Sequence, residues 1–194
     1  MTVTARDEHR RGRDIPDDSG PPHALPLVMM ALGPFALGYF LSYVFRAVNA
    51  VVEQDLVREI GLSPSELGFM TAAYLGAFAL VQLPLGVLLD RYGPRRVQTA
   101  LMLIAAVGAL LFAFASDGAM LTMARALIGL GVAGGLMSGF KSVVLWVSVP
   151  RRARANSIVM SAGAVGLRVA SRPMQEATGL VGWRLGVLVL AGVA

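Results

Sequence analysis

The amino-acid sequence predicts an all-α protein, a polytopic bundle of membrane-spanning helices. Three observations carry this expectation. Hydrophobic residues make up 56% of the 194 residues and charged residues only 15%, where an ordinary soluble domain carries about 25% charged residues. The apolar residues gather in runs of roughly 20, the length a helix needs to cross the hydrocarbon core. Arginines cluster in alternate loops between those runs, as expected when positive charge is retained on one side of a membrane.

The same composition excludes other classes. One core of this length cannot hide so much apolar surface from water, so a soluble enzyme is ruled out, and a disordered chain is ruled out with it. Cysteine is absent, which removes disulfides and thiolate chemistry. His9 and His23 lie in a polar stretch, far from any site that would use them. No cofactor or metal is expected, and neither is enzymatic activity. The net charge of +5 and a pI near 10.4 resemble those of a nucleic-acid binder. The placement of the arginines between apolar runs instead points to a lipid bilayer as partner.

The elements follow in order. Residues 1–25 mix charge, Gly and Pro and are expected to form a disordered tail. Residues 26–194 are expected to form one bundle, with helices at about 27–52, 67–89, 97–115, 120–147 and 157–177. A sixth apolar run covers 185–194. At about 1.5 Å per residue its ten residues reach only roughly 15 Å, which makes it an incomplete span.

The loop charges orient the bundle. The tail carries Arg6, Arg10, Arg11 and Arg13, the second loop Arg91, Arg95 and Arg96, and the fourth loop Arg151, Arg152 and Arg154. The first loop is acidic, with Glu53, Asp55, Glu59 and Glu66, and the third has only Asp117. This alternation places the tail and the even loops in the cytoplasm, with the helices in a cell inner membrane.

The second loop reads Gly86-Val-Leu88-Leu-Asp90-Arg91-Tyr-Gly93-Pro-Arg95-Arg96. Gly86 is expected to admit a neighbouring helix and Gly93 to permit a sharp turn. Asp90 closes the second helix, where a helix N-terminus or a basic side chain can meet it. This loop resembles the G-x-L-x-D-R-x-G-x-R-R signature of the major facilitator superfamily, at the position between the second and third helices where that family carries it. In the fourth helix, Arg125-Ala-Leu-Ile-Gly129-Leu-Gly131 resembles the family's R-x-x-x-G-x-G motif, whose arginine is associated with coupling and conformational exchange. The resemblance covers residues 27–194 and corresponds to the N-terminal six-helix half of a twelve-helix transporter. It implies a secondary transporter that works by alternating access, with its other wall supplied by a missing C-terminal half or a second copy. Ala162-Gly163-Ala-Val-Gly166 stands where drug-antiporter branches carry a Gly-Pro-rich motif.

The intramembrane charges suggest the substrate, because charge within a bilayer is costly and defaults to function. Arg46, Arg125, Lys141, Arg168 and Arg172 are all cationic, and together they favour a small organic or inorganic anion. Tyr39, Tyr43, Arg46, Asn49 and Glu53 recur at helical spacing and give the first helix a polar face. Around Arg46, the segment resembles the first helix of organic-anion transporters in the superfamily. There an arginine binds phosphate or carboxylate, often after an Asp; here Phe45 holds that place. The second helix adds a stripe of Thr71, Tyr74, Phe78 and Gln82. The substrate-binding candidates are therefore Arg46, Asn49, Tyr43, Tyr74, Arg168 and Lys141. Two alternatives stay open: a half-length protein without independent transport, and a carrier of drugs or neutral solutes on the same scaffold. Trp146 and Trp183, near predicted helix ends, are expected to anchor at the interface.

Overall fold

A computed structural model describes residues 24–170 and 182–193, and every regular element among them is a helix. Residues 1–23, which hold most of the predicted tail, lie outside the described residues, as do Arg172 and the end of the predicted fifth span. The first helix, α1, runs Ala24–Ile60 with Pro34 inside it. It does not stop near residue 52 as expected. Val52 and Leu56 stay buried while Arg58 and Glu59 face outward, so the charged stretch ends the apolar span without ending the helix. At about 1.5 Å per residue α1 is roughly 55 Å long and outruns a hydrocarbon core of about 30 Å.

A turn at Gly61 leads to Ser63, which caps α2, Pro64–Tyr92. Its hydroxyl accepts from the Glu66 backbone N–H while the Glu66 carboxylate accepts from the Ser63 N–H. This reciprocal pairing satisfies the donors that a helix start leaves open and draws Glu66 from the predicted loop into the first turn. Gly93, at φ +79°, then turns the chain into α3, Pro94–Ala113. Pro94 follows at the first helical position, where a missing N–H costs nothing. Asp117 caps α4, Gly118–Val132, through a 2.7 Å bond from the Met120 N–H.

The predicted fourth helix is divided. Ala133 and Gly134 interrupt it, and α5 continues over Gly135–Trp146. Apolar periodicity runs through the interruption, so hydropathy alone did not reveal it. A short 3₁₀ turn, Val149–Arg151, joins α5 to α6, Arg152–Val169. α6 begins earlier than the predicted residue 157, because Arg152 reaches back to the carbonyls of Val147 and Val144 at 3.1 and 3.0 Å. Cationic side chains favour helix C-termini, where carbonyls lack partners. The last described helix is α7, Trp183–Val193.

Three helices among the described residues are long and apolar enough to cross a membrane: Pro64–Tyr92, Pro94–Ala113, and Gly118–Trp146 taken through its interruption. Large apolar side chains face outward along α2, with Leu83 82% exposed. Water penalises such a surface and lipid does not. α4 lies centrally, packed on α2 and α3, while α1 packs on α6 and α5. The main core joins Phe45 and Leu56 of α1, Met70 and Tyr74 of α2, Phe112 of α3, Leu121 and Ile128 of α4, and Trp183 of α7. Trp183 is thus no interfacial anchor. It is 2% exposed and meets Phe112 edge-on, with ring centroids 5.8 Å apart. Trp146 stays partly exposed and tilts against Phe35.

Small residues set the helix spacing. A methyl at Gly129 would strike the Tyr74 carbonyl, and one at Gly131 would strike the Ala105 backbone. The two glycines let α4 lie directly on α2 and α3, the close packing that membrane helices rely on. Beside Gly86, expected to admit a neighbouring helix, nothing among the described residues lies within 4 Å of the place a side chain would occupy.

Candidate substrate site

The interruption of the fourth span leaves carbonyls of Val132 and Ala133 to be met from outside the helix. Ser42 of α1 donates to Val132 O at 3.3 Å, and Gln82 of α2 donates its Nε2 to Ala133 O at 3.1 Å. Irregular backbone at membrane depth is tolerated where protein satisfies it or where it lines a cavity. Both conditions hold here, because a cavity of about 210 Å³ opens beside it. Tyr39, Tyr43 and Arg46 line it from α1, Phe78 and Gln82 from α2, and Met137 from α5.

Arg46 is the charge of this cavity. Its guanidinium carbon stands 5.6 Å from the Tyr43 ring centroid and 5.3 Å from that of Phe78. Aromatic rings attract the guanidinium through their negative faces, leaving its N–H edge as the group that can grip an oxyanion with paired hydrogen bonds. Tyr43 is itself held by Tyr39, edge-on at 5.1 Å with the hydroxyls 3.3 Å apart. Gly163 of α6 lets that aromatic pair sit against the helix backbone, since a methyl there would come within 2.5 Å of the Tyr39 ring. Arg46 has no ion-pair partner among the described residues, in contrast to Lys141, which pairs with Asp90, and Arg184, which pairs with Glu59.

The other predicted residues fall outside the cavity lining. Tyr74 lies beside the site: it is buried under Arg125, 4.8 Å from ring centroid to guanidinium carbon, and its side chain also interacts with Arg46. Arg125 is 2% exposed and donates to the Phe45 carbonyl at 3.0 Å. It is therefore an internal tie between α4 and α1, not a side chain reaching for the interface. Arg168 lies on the exposed side of α6, outside the cavity. Asn49 lies on α1, with its side chain outside the described residues, as is that of Glu53. Thr71 turns back on its own helix, donating to Leu67 O at 3.0 Å.

Lys141 lies apart from Arg46, in a second cavity of about 380 Å³. Its ammonium pairs with the Asp90 carboxylate at 2.6 Å. Asp90 thus meets a basic side chain, as its place at the end of α2 suggested. The partner comes from 51 residues away, which no local pattern can specify. Around Asp90, Arg91 stacks over Tyr92 at 5.4 Å, and Arg95 and Arg96 are exposed.

Residues 35–194 match the family model of the Major Facilitator Superfamily. The chain belongs to the Major Facilitator Superfamily. It is accordingly a multi-pass membrane protein of a transporter family. Over 166 residues it is 31% identical to the probable sulfoacetate transporter SauU of Cupriavidus necator, covering 85% of this chain and 38% of that protein. Over 154 residues it is 29% identical to the probable L-galactonate transporter of Escherichia coli, covering 79% of this chain and 34% of the relative. It is 31% identical over 108 residues to the nitrate/nitrite transporter NrtP of a Picosynechococcus species, covering 56% and 20%. The chain spans less than two fifths of the length of each. Within the superfamily reading, the predicted signature loop forms the end of α2 and the Gly93 turn, and the R-x-x-x-G-x-G segment forms the buried face of α4.

Proposed function

We propose that this superfamily member is a secondary active transporter that moves a small organic or inorganic anion by alternating access, with Arg46 as the anion-binding group. The observation that carries this reading is the state of Arg46: stacked against Tyr43 and Phe78, facing a cavity, and paired with no carboxylate among the described residues. A cation at membrane depth needs a counter-charge, and a transported oxyanion supplies it. The names of the relatives agree in chemistry, since sulfoacetate, galactonate and nitrate are all anions. In the proposed orientation the arginine-rich end of the bundle, from Arg91 to Arg96 and Arg151 to Arg154, faces the cytoplasm of a cell inner membrane.

The test is equilibrium binding of labelled sulfoacetate, L-galactonate and nitrate to the purified full-length protein. Charge-assisted hydrogen bonds contribute about 1.5–3 kcal/mol each, so Arg46→Ala is expected to weaken the bound anion by at least roughly 10- to 100-fold. Arg46→Lys keeps the charge and loses the planar fork, and is expected to fall between. Unchanged affinity in Arg46→Ala would overturn the reading.

A further inference from the structure

Gly163 and Gly166 belong to the stretch Ala162-Gly163-Ala-Val-Gly166, to which the anion reading assigns no part. On α6, Ala155, Val159, Gly163 and Gly166 follow at three- or four-residue spacing and are all buried. Residues so spaced share one helix face, and the two glycines bring that face against α1. A methyl at Gly163 would stand 2.5 Å from Cε1 of Tyr39, and 2.8 and 2.9 Å from Cε2 and Cδ2 of Tyr43. Carbon atoms pack at about 3.5–4.0 Å, so both rings would have to shift. The two rings form a unit, edge-on at 5.1 Å with their hydroxyls 3.3 Å apart. Tyr43 in turn carries the Arg46 guanidinium over its ring at 5.6 Å. Both tyrosines line the Arg46 cavity, together with residues of α2, α4 and α5. α6 therefore stands behind the pair and the cavity lies in front of it. The contacts of Gly163 with the rings are made inside the bundle and do not depend on what faces the cavity from the other side.

We propose that Gly163 determines specificity: it sets how far the Tyr39 and Tyr43 rings reach into the cavity, and with that the size of anion that Arg46 accepts. The inference rests on the anion reading of Arg46 given above. Gly163 touches no substrate and is a positioning residue that acts through the two rings. With no side chain behind them, the rings sit back against α6. This favours an organic anion with a carbon chain, such as a sulfonate or a sugar acid. A larger residue at 163 drives the rings forward, because close-packed interiors displace side chains instead of absorbing an added methyl group. A small inorganic oxyanion still reaches the guanidinium fork, which is all it needs. A longer anion loses the room its chain requires. Gly166 supplies the internal comparison. A methyl there would strike the main-chain carbonyl of Phe40 at 2.5 Å, not a ring, so substitution parts two helix backbones and leaves the tyrosine pair intact.

The experiment measures equilibrium binding of labelled nitrate, sulfoacetate and L-galactonate to the full-length protein, with melting temperatures in detergent recorded alongside. The readout is the ratio of affinities for the largest and the smallest anion bound. One methyl group in a pocket changes discrimination by about 10- to 200-fold, so Gly163→Ala is expected to lower this ratio at least roughly tenfold while nitrate affinity holds. Gly166→Ala is expected to lower the melting temperature and keep the ratio. Adding Tyr39→Ala to Gly163→Ala removes a ring that the methyl strikes, and is expected to recover most of the lost affinity for the larger anion. Equal weakening of all anions in Gly163→Ala is what mere packing damage predicts, and it would overturn the proposal, as would no recovery in the double variant. Should Gly163→Ala fail to fold, Tyr39→Ala alone must raise the ratio, and an unchanged ratio overturns the proposal equally. Should the parent bind only one of the three anions, recovery or its absence in the double variant decides. The two readings fail separately. Binding of none of the three by the parent removes the Arg46 reading and this one with it. Binding that Arg46→Ala abolishes, together with an unchanged ratio in Gly163→Ala, removes only the role of Gly163.

Discussion

Arg125 of α4 donates a 3.0 Å hydrogen bond to the main-chain carbonyl of Phe45, the residue that precedes Arg46 on α1. A buried guanidinium thereby holds the stretch of α1 that presents the candidate anion site. Two rings flank it, Tyr74 at 4.8 Å and Phe112 at 6.0 Å, and its Nε is buried without a hydrogen-bond partner among the described residues.

Arg125 is therefore expected to separate stability from binding. Arg125→Met removes a buried charge, which favours stability, and the hydrogen bond to Phe45 O, which opposes it. Because the two changes have opposite signs, thermal stability in detergent is expected to shift by less than the roughly 1.5–3 kcal/mol of the lost bond alone. Anion affinity is expected to fall roughly tenfold, since a charge-assisted bond of about 1.5–3 kcal/mol no longer holds Phe45. A variant that unfolds yet binds normally at low temperature would contradict this account.

Gly129 and Gly86 make a matched pair. A methyl at Gly129 collides with the Tyr74 carbonyl, while one at Gly86 meets nothing within 4 Å. Gly129→Ala should cost about 1–3 kcal/mol through overpacking. Gly86→Ala should cost nothing and gain up to about 1 kcal/mol in helix propensity. Thermal unfolding of the two variants in one detergent decides it, and equal melting temperatures would count against the helix spacing described.

Gln82 holds the interrupted span by its bond to Ala133 O. Gln82→Leu removes the donor and leaves that carbonyl to its own resources. The expected loss is about 0.5–1.5 kcal/mol, read as a weaker anion affinity of roughly 2- to 10-fold and as faster amide exchange near Gly134. Unaltered exchange there would show that the interruption does not depend on Gln82.

Ser63 offers a local control far from the cavity. Ser63→Ala breaks the reciprocal cap with Glu66 and should cost about 1 kcal/mol. Anion affinity should not change. A binding defect in this variant would mean that the start of α2 and the Arg46 cavity are coupled.

Much of the architecture was legible because lipid imposes simple demands. A span needs about 20 apolar residues, and the runs at Leu67–Leu89 and Val97–Ala115 satisfy that visibly. Turn chemistry was equally plain at Gly93-Pro94. The C-terminal end of α1 and the start of α6 depart from the expectation for one shared reason. Charge marks where a chain leaves the bilayer, and a helix can continue past that point when a buried stripe such as Val52 and Leu56 supports it. Trp183 was misread because a tryptophan near a helix end looks the same whether it meets lipid headgroups or Phe112.

In the candidate site, the polar stripe of Tyr39, Tyr43 and Arg46 was readable from spacing alone, since a helix places such residues on one side. Its partners were not. Phe78 against Arg46, Ser42 and Gln82 against the interrupted span, and Asp90 against Lys141 are contacts between helices.

The sequence by itself determined that this chain forms membrane-spanning helices, which of its loops gather arginine, and which superfamily its motifs resemble. Those properties follow from hydropathy, charge and turn residues over stretches of about 20 residues or fewer. Only the tertiary structure decided that Lys141 answers Asp90, that Arg125 is buried against Phe45, and that the fourth span breaks beside Arg46. Each depends on how far one helix is rotated and shifted against another, which is settled by the packing of glycines and rings along the whole interface.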